Sequence, residues 1–255
     1  MKNKKWLSTG NIFLANFPEI TVGELIFDRN NGLTFTRLLL SLSVLVGHSY
    51  PLGGFTGRDP IGLITQGQDN AGRIAVNSFM IMSGLLVSAS FDRQSLVTYF
   101  IKRVLRIFPG YLFCLLLLVL LFGPFVALLS GIDLLTYFTT DRESPWAFLI
   151  KNSLLAIKQQ GISGLLSNNP YPFSFAGSHW TIWPEFKGYI VIAVCGLLGF
   201  LKSFHLLLIP FTFFYTISLA AIYQSGFSDF IIRYVRDIRT IDLAMYLIIG
   251  VIIYA

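Results

Sequence analysis

From Ile107 to Ile132, in the stretch "IFPGYLFCLLLLVLLFGPFVALLSGI", the chain carries no charged side chain. A helix needs about 20 apolar residues to cross the hydrocarbon core of a bilayer, so this run is long enough to span one. Other uncharged runs fall at 38–57, 74–91, 188–201 and 203–228, and a last one occupies 243–255. The composition agrees: 54% of residues are hydrophobic and 13% charged, respectively above and below the shares usual in a soluble domain. These runs predict an all-α, polytopic transmembrane bundle over residues 33–255, with about six spans by length. Residues 1–32 form a cytoplasmic or interfacial segment ahead of it.

The opening "MKNKKWLSTG" is basic, but no apolar core follows before Pro18 and Glu19. That argues against a cleaved signal peptide and keeps the N-terminus cytoplasmic. The net charge of +6 raises the question of a nucleic-acid partner. Its basic residues, however, sit in short clusters beside apolar runs, as the positive-inside bias requires, and no nucleic-acid partner is expected.

Arg93, Lys102, Arg103 and Arg106 crowd segment 92–106, whereas 57–73 holds Arg58 and Arg73 alone. The former is therefore the cytoplasmic loop, and the first crossings run outward at 33–50, inward at 74–91 and outward at 107–130. Segment 145–166, interrupted by Lys151 and Lys158, is expected as an amphipathic or re-entrant helix against the bundle. "SNNPYPFSFAGS" then reads as an ordered loop, and a helix runs from near Trp180 through 201. On this count the basic segment with Arg233, Arg236 and Arg239 falls outside, against the charge bias. Either 145–166 does cross, or Asp229, Asp237 and Asp242 neutralise the signal. Cys114 and Cys195 lie in apolar runs without metal or redox spacing and are expected to behave as small hydrophobes.

Four stretches carry polar chemistry. In "RLLLSLSVLVGH" Arg37 and His48 are eleven helical steps apart, about 16 Å along the axis and close to three turns, so they project on nearly one face. They line one side of a shared cavity, or each simply anchors its end of the helix at the interface. In "VNSFMIMSGLLVSASF" Asn77 is costly to bury, while Ser83 and Gly84 permit close approach of another helix. In "KRVLRIFPG" Arg103 and Arg106 share a helix face, suited to gripping a phosphate or to anchoring at anionic headgroups. In "FAGSHWTIWPEFKGY" Trp180, Trp183 and Tyr189 suit an interface, and Glu185 sits in a first helical turn, where its charge complements the dipole. His179 reads as an interfacial residue rather than a catalyst.

Taken in order, Arg37 with His48, "FMIMSGLLV", "KRVLRIFP" and "GSHWTIWPEFKGY" resemble the motifs of the acyltransferase-3 family of integral membrane acyltransferases, over about residues 33 to 255. The match departs from the family pattern at Met80 and Leu85, where aromatics are usual, and at Ala176, His179, Trp183 and Pro184. Trp180 and Glu185 keep their spacing. The family domain also carries further helices, so the resemblance implies that last spans are missing here.

The resemblance implies a multi-pass protein of the bacterial inner membrane that transfers an acyl group, acetyl foremost, from acyl-CoA to a hydroxyl of a cell-envelope or exported carbohydrate. Acyl-CoA is then a donor substrate, with no permanently bound cofactor and no metal. His48 is the expected base, since an imidazole titrates near neutral pH. Arg37 holds an acidic partner or the thioester group, and Glu185 orients His48 or binds a sugar hydroxyl. Arg103 and Arg106 hold CoA phosphates, while Trp180 and Asn77 contact substrate. Two other readings stay open: a transporter of glycan or small anions with a buried polar relay, and an inactive fragment serving as a membrane scaffold.

Overall fold

The computed structural model describes residues 32–55, 58–223 and 238–255, and among these there is no β-strand. The first 31 residues and the basic segment with Arg233 and Arg236 lie outside the described residues. Helices follow as α1 (Leu33–Leu52), α2 (Pro60–Ile64), α3 (Ala71–Phe91), α4 (Leu96–Leu117), α5 (Gly123–Leu129), α6 (Leu134–Thr139), α7 (Pro145–Asn152), α8 (Ile182–Leu197), α9 (Phe204–Tyr223) and α10 (Ile238–Tyr254).

A π-helical turn at Leu118–Phe122 joins α4 to α5, making one apolar helix from Leu96 to Leu129. Pro124, just beyond the turn, lacks the N–H that would continue the α-ladder. The buried Tyr137 hydroxyl donates to the Val119 carbonyl at 2.9 Å, satisfying an acceptor within it.

Among the described residues, two helices are long and apolar enough to cross a membrane, Ala71–Phe91 and Leu96–Leu129. Only 22% of the apolar window of the second is buried, so its side chains point away from the protein, unlike those of a soluble core helix. Leu116, Leu120, Phe125 and Leu128 are all exposed there. An apolar surface of this extent is stable in lipid and a liability in water, which makes this a membrane protein. The helix begins eleven residues before the expected crossing at 107, because Ser95 caps it and Arg103 and Arg106 fall inside it rather than in a loop.

Helix α3 is the hub, packed against α1, α8 and α10. Glycines set two of these contacts. A Cβ at Gly47 would lie 2.5 Å from the Gly72 nitrogen, so α1 crosses the start of α3 backbone to backbone. A Cβ at Gly84 would collide with the Leu247 carbonyl, and one at Gly250 with the Ile81 carbonyl, so α3 and α10 touch at both points. The close approach expected at Ser83 and Gly84 is thus made by α10. A carboxylate fixes the start of α3: Asp59, 4% exposed, accepts from Gly62 N at 2.6 Å and from Ala71 N at 2.9 Å. It caps α2 and α3 together, and its charge favours both N-termini.

Segment 145–166 contains α7, which at eight residues is too short to cross, followed by irregular chain. This chain packs on α4 through Leu155, Ile162 and Leu165. Its hub is the fully buried Asn152, whose Nδ2 donates to Gln159 O at 2.8 Å and whose Oδ1 accepts from Lys158 N at 2.8 Å. Leu155 and Phe173 hold left-handed φ of 67° and 58°, a cost such residues bear only where packing fixes them. The helix expected from Trp180 starts as a 3-10 turn at Gly177–Thr181 and becomes α8 at Ile182.

Candidate active site

A cavity of about 1100 Å³ opens between α1, α3, α4, the turn before α8, and α10. Arg37, His48, Asn77, Arg106, Trp180 and Glu185 all line it. Six residues drawn from four separate stretches therefore meet in one space. Arg103, the seventh expected residue, does not line it.

One end is built by charge. Arg37 on α1 lies within electrostatic range of Arg106 on α4 and of Glu185 and Tyr189 on α8. The Tyr189 hydroxyl donates to Glu185 Oε1. Neither Arg37 nor Arg106 has a carboxylate within ion-pair distance among the described residues. Two guanidinium groups facing a single carboxylate leave that end with one positive charge in excess, which suits an anion, and arginine suits phosphate in particular.

Arg103 lies behind this end, 7% exposed. Its Nη2 donates to Ser90 Oγ at 2.7 Å, and its guanidinium sits 5.5 Å from the Tyr99 ring and 5.6 Å from the Tyr189 ring. The shared helix face does not extend to a shared environment: three residues rotate Arg103 toward α3 and α8, leaving Arg106 at the cavity. Tyr99 strengthens the same wall, donating from its hydroxyl to the Tyr189 carbonyl at 2.8 Å.

The other end sets two carboxylates, Asp69 and Asp242, against one guanidinium, Arg73. Asp69 pairs with Arg73 at 2.7 Å, and Asn70 caps α3 by accepting from Arg73 N at 2.8 Å. Asp242 on α10 also lines the cavity, and accepts from Ser218 Oγ at 2.6 Å.

In the wall between, sequence reasoning missed a cluster. His179 lines the cavity, with Nε2 at 3.6 Å from Cys114 Sγ and its ring edge against Tyr111 at 5.7 Å. Burial pushes the imidazole below its ordinary pKa of 6.5, favouring the neutral form. Tyr111 is held by its own hydroxyl, which donates to the Asn152 carbonyl at 2.7 Å. Cys114 and His179 are 65 residues apart, and only the fold of the 145–176 segment brings them together. The sequence signal was a histidine beside Trp180, which an interface also explains.

A model of the acyltransferase domain matches residues 30–255. The chain belongs to the acyltransferase-3 family. This acyltransferase-3 chain is also similar to the O-acetyl transferase of Shigella phage Sf6, with 30% identity over 168 residues. The alignment covers 65% of this chain and 46% of the phage protein, so the chain spans less than half of that relative's length. No solved structure matches it.

Proposed function

We propose that this chain carries the catalytic centre of a membrane O-acyltransferase, which moves an acyl group, acetyl foremost, from acyl-CoA to a hydroxyl of a carbohydrate outside the cytoplasm. The observation that carries the reading is the convergence of Arg37, His48, Asn77, Arg106, Trp180 and Glu185 on one cavity. In this reading α1, α3, α4 with α5, α8, α9 and α10 are six spans, and segment 145–181 is re-entrant from the outer side. The cluster of Arg93, Lys102, Arg103 and Arg106 supports placing that end of the bundle in the cytoplasm of a bacterial inner membrane.

The donor enters at the Arg106 end, where the excess positive charge neutralises CoA phosphates. Its flexible arm then reaches along the cavity toward His48, about 16 Å away along α1. The acceptor arrives from the Asn70 end, where Asn77 and Trp180 offer a hydrogen-bonding group and an aromatic face to a sugar. As the acceptor oxygen attacks the thioester carbonyl carbon, His48 takes its proton. The carbon–sulfur bond breaks, and the proton passes to the departing CoA sulfur. Arg103 is a positioning residue here, packed on Tyr189, which in turn holds Glu185.

The test is acetyl transfer to oligosaccharides by His48→Ala and His48→Gln in membranes. Both are expected to insert normally and to lose transfer by a factor of about 10² or more, since an amide cannot act as the base. Transfer at the parent rate by correctly inserted His48→Ala would refute the catalytic role.

A further inference from the structure

Cys114 and His179 form a thiol–imidazole pair inside the same cavity. The second ring nitrogen of His179, Nδ1, is buried and has no hydrogen-bond partner among the described residues. Buried polar groups in folded proteins are nearly always satisfied, so an imidazole kept with one nitrogen on a thiol and the other unpaired is not there for packing alone. The Tyr111 ring holds the imidazole from the side while its hydroxyl is committed to Asn152. Cys195 offers the contrast, lying in an apolar cluster and not lining the cavity.

Depth along the helices adds a second argument. Cys114 is eight residues beyond Arg106 on α4, about 12 Å, and His48 is eleven beyond Arg37 on α1, about 16 Å. Arg37 and Arg106 line the same cavity and lie within electrostatic range of one another. The thiol and His48 therefore both stand on the outward side of the two arginines, beyond the end that suits the donor's phosphates.

We propose that Cys114 is an acyl-carrying nucleophile with His179 as its base, so that the acyl group crosses the cavity in two transfers. The proposal rests on the acyl-CoA-to-hydroxyl reading above and replaces its single step. In the first transfer the Cys114 sulfur attacks the carbonyl carbon of acyl-CoA and its proton moves to His179 Nε2. The bond to the CoA sulfur breaks, and that sulfur leaves with the proton from His179. In the second, the acceptor oxygen attacks the acyl carbon on Cys114 while His48 takes the hydroxyl proton. The Cys114 sulfur departs and recovers a proton from His48. One thioester is exchanged for another and then for an ester, with no oxidant or further reactant.

The experiment incubates the His48→Ala protein in membranes with radiolabelled acetyl-CoA and no acceptor, then maps the labelled peptide. Label is expected on Cys114 and is released by neutral hydroxylamine, as a thioester requires. Adding Cys114→Ala abolishes it, and adding His179→Gln slows its formation about a hundredfold. Cys114→Ser is expected to retain the label as an ester that neutral hydroxylamine leaves in place. Glycan acetylation by the parent protein without label at Cys114, or at an unchanged rate in Cys114→Ala, would overturn the relay while leaving the acyltransferase reading intact. Label found on Cys195 instead would also overturn it. A protein that neither takes label nor acetylates any glycan overturns both.

Discussion

Replacing Gly250 by alanine tests how the bundle is held. The added Cβ would lie 2.8 Å from the Ile81 carbonyl carbon and the Leu85 nitrogen, and closer still to the Ile81 oxygen. These are backbone atoms that cannot rotate aside, so α3 and α10 must separate by at least about 1 Å to bring the Ile81 oxygen back toward ordinary contact, and a gap of that size forfeits roughly half of each dispersion contact. Leu243, Leu247, Ile248 and Val251 are buried on α10 and share the loss. Overpacking of this kind costs typically about 1–3 kcal/mol. Gly84→Ala attacks the same crossing from α3, and the double variant should lose less than the two single losses combined, since one separation relieves both clashes. Gly110→Ala is the control: nothing lies within 4 Å of its Cβ, and alanine gains about 0.5–1 kcal/mol over glycine inside a helix. Denaturant unfolding in detergent micelles, followed by far-UV circular dichroism, measures all four. A Gly250→Ala protein within about 0.5 kcal/mol of the parent would refute the backbone contact.

Arg106→Ala should raise the KM for acetyl-CoA, each charge-assisted phosphate contact contributing roughly 1.5–3 kcal/mol, and Arg106→Lys should recover part of it; an unchanged KM leaves Arg106 as a topology anchor. Arg103→Met should instead lower unfolding stability by about 1–3 kcal/mol, through loss of its hydrogen bond and two ring contacts; a change confined to KM would contradict its placement behind the wall. Tyr189→Phe removes the donor to Glu185 and should lower kcat with little change in folding, read from steady-state acetyl transfer. His179 has a folded-state pKa below its ordinary 6.5, so the folded protein binds fewer protons, and the neutral ring's contribution is complete above about pH 6.5 and falls as pH drops through that value. Unfolding measured between about pH 7 and 5 should show that loss, and His179→Gln should flatten it.

The apolar runs made the helices legible, because charge cannot be hidden along a span and each interruption marks an end. The same rule places the start of the third crossing too late: the helix begins at Leu96 and carries Arg103 and Arg106 within it, and Arg103 is buried by packing on two tyrosines. Spacing along one helix placed Arg37 and His48 correctly relative to each other, since helical geometry is local. It could not show that the 145–176 segment folds back on α4 through Asn152 and Tyr111, because those bonds join positions 41 residues apart. The Cys114–His179 pair depends on that fold, and a cysteine in an apolar run gives no sign of its partner.

Sealed vesicles containing the full chain test the central claim most directly. Radiolabelled acetyl-CoA is enclosed on the Arg103 side and oligosaccharide is supplied on the Asn70 side, with sidedness fixed on parallel samples, in which Cys114 and Cys195 are replaced, by impermeant maleimide labelling of single cysteines at positions 55 and 95. A cavity joining donor and acceptor across the membrane predicts label in ester linkage on the external glycan, abolished by His48→Ala. Labelled solute crossing without covalent attachment to glycan would contradict acyl transfer and indicate transport instead.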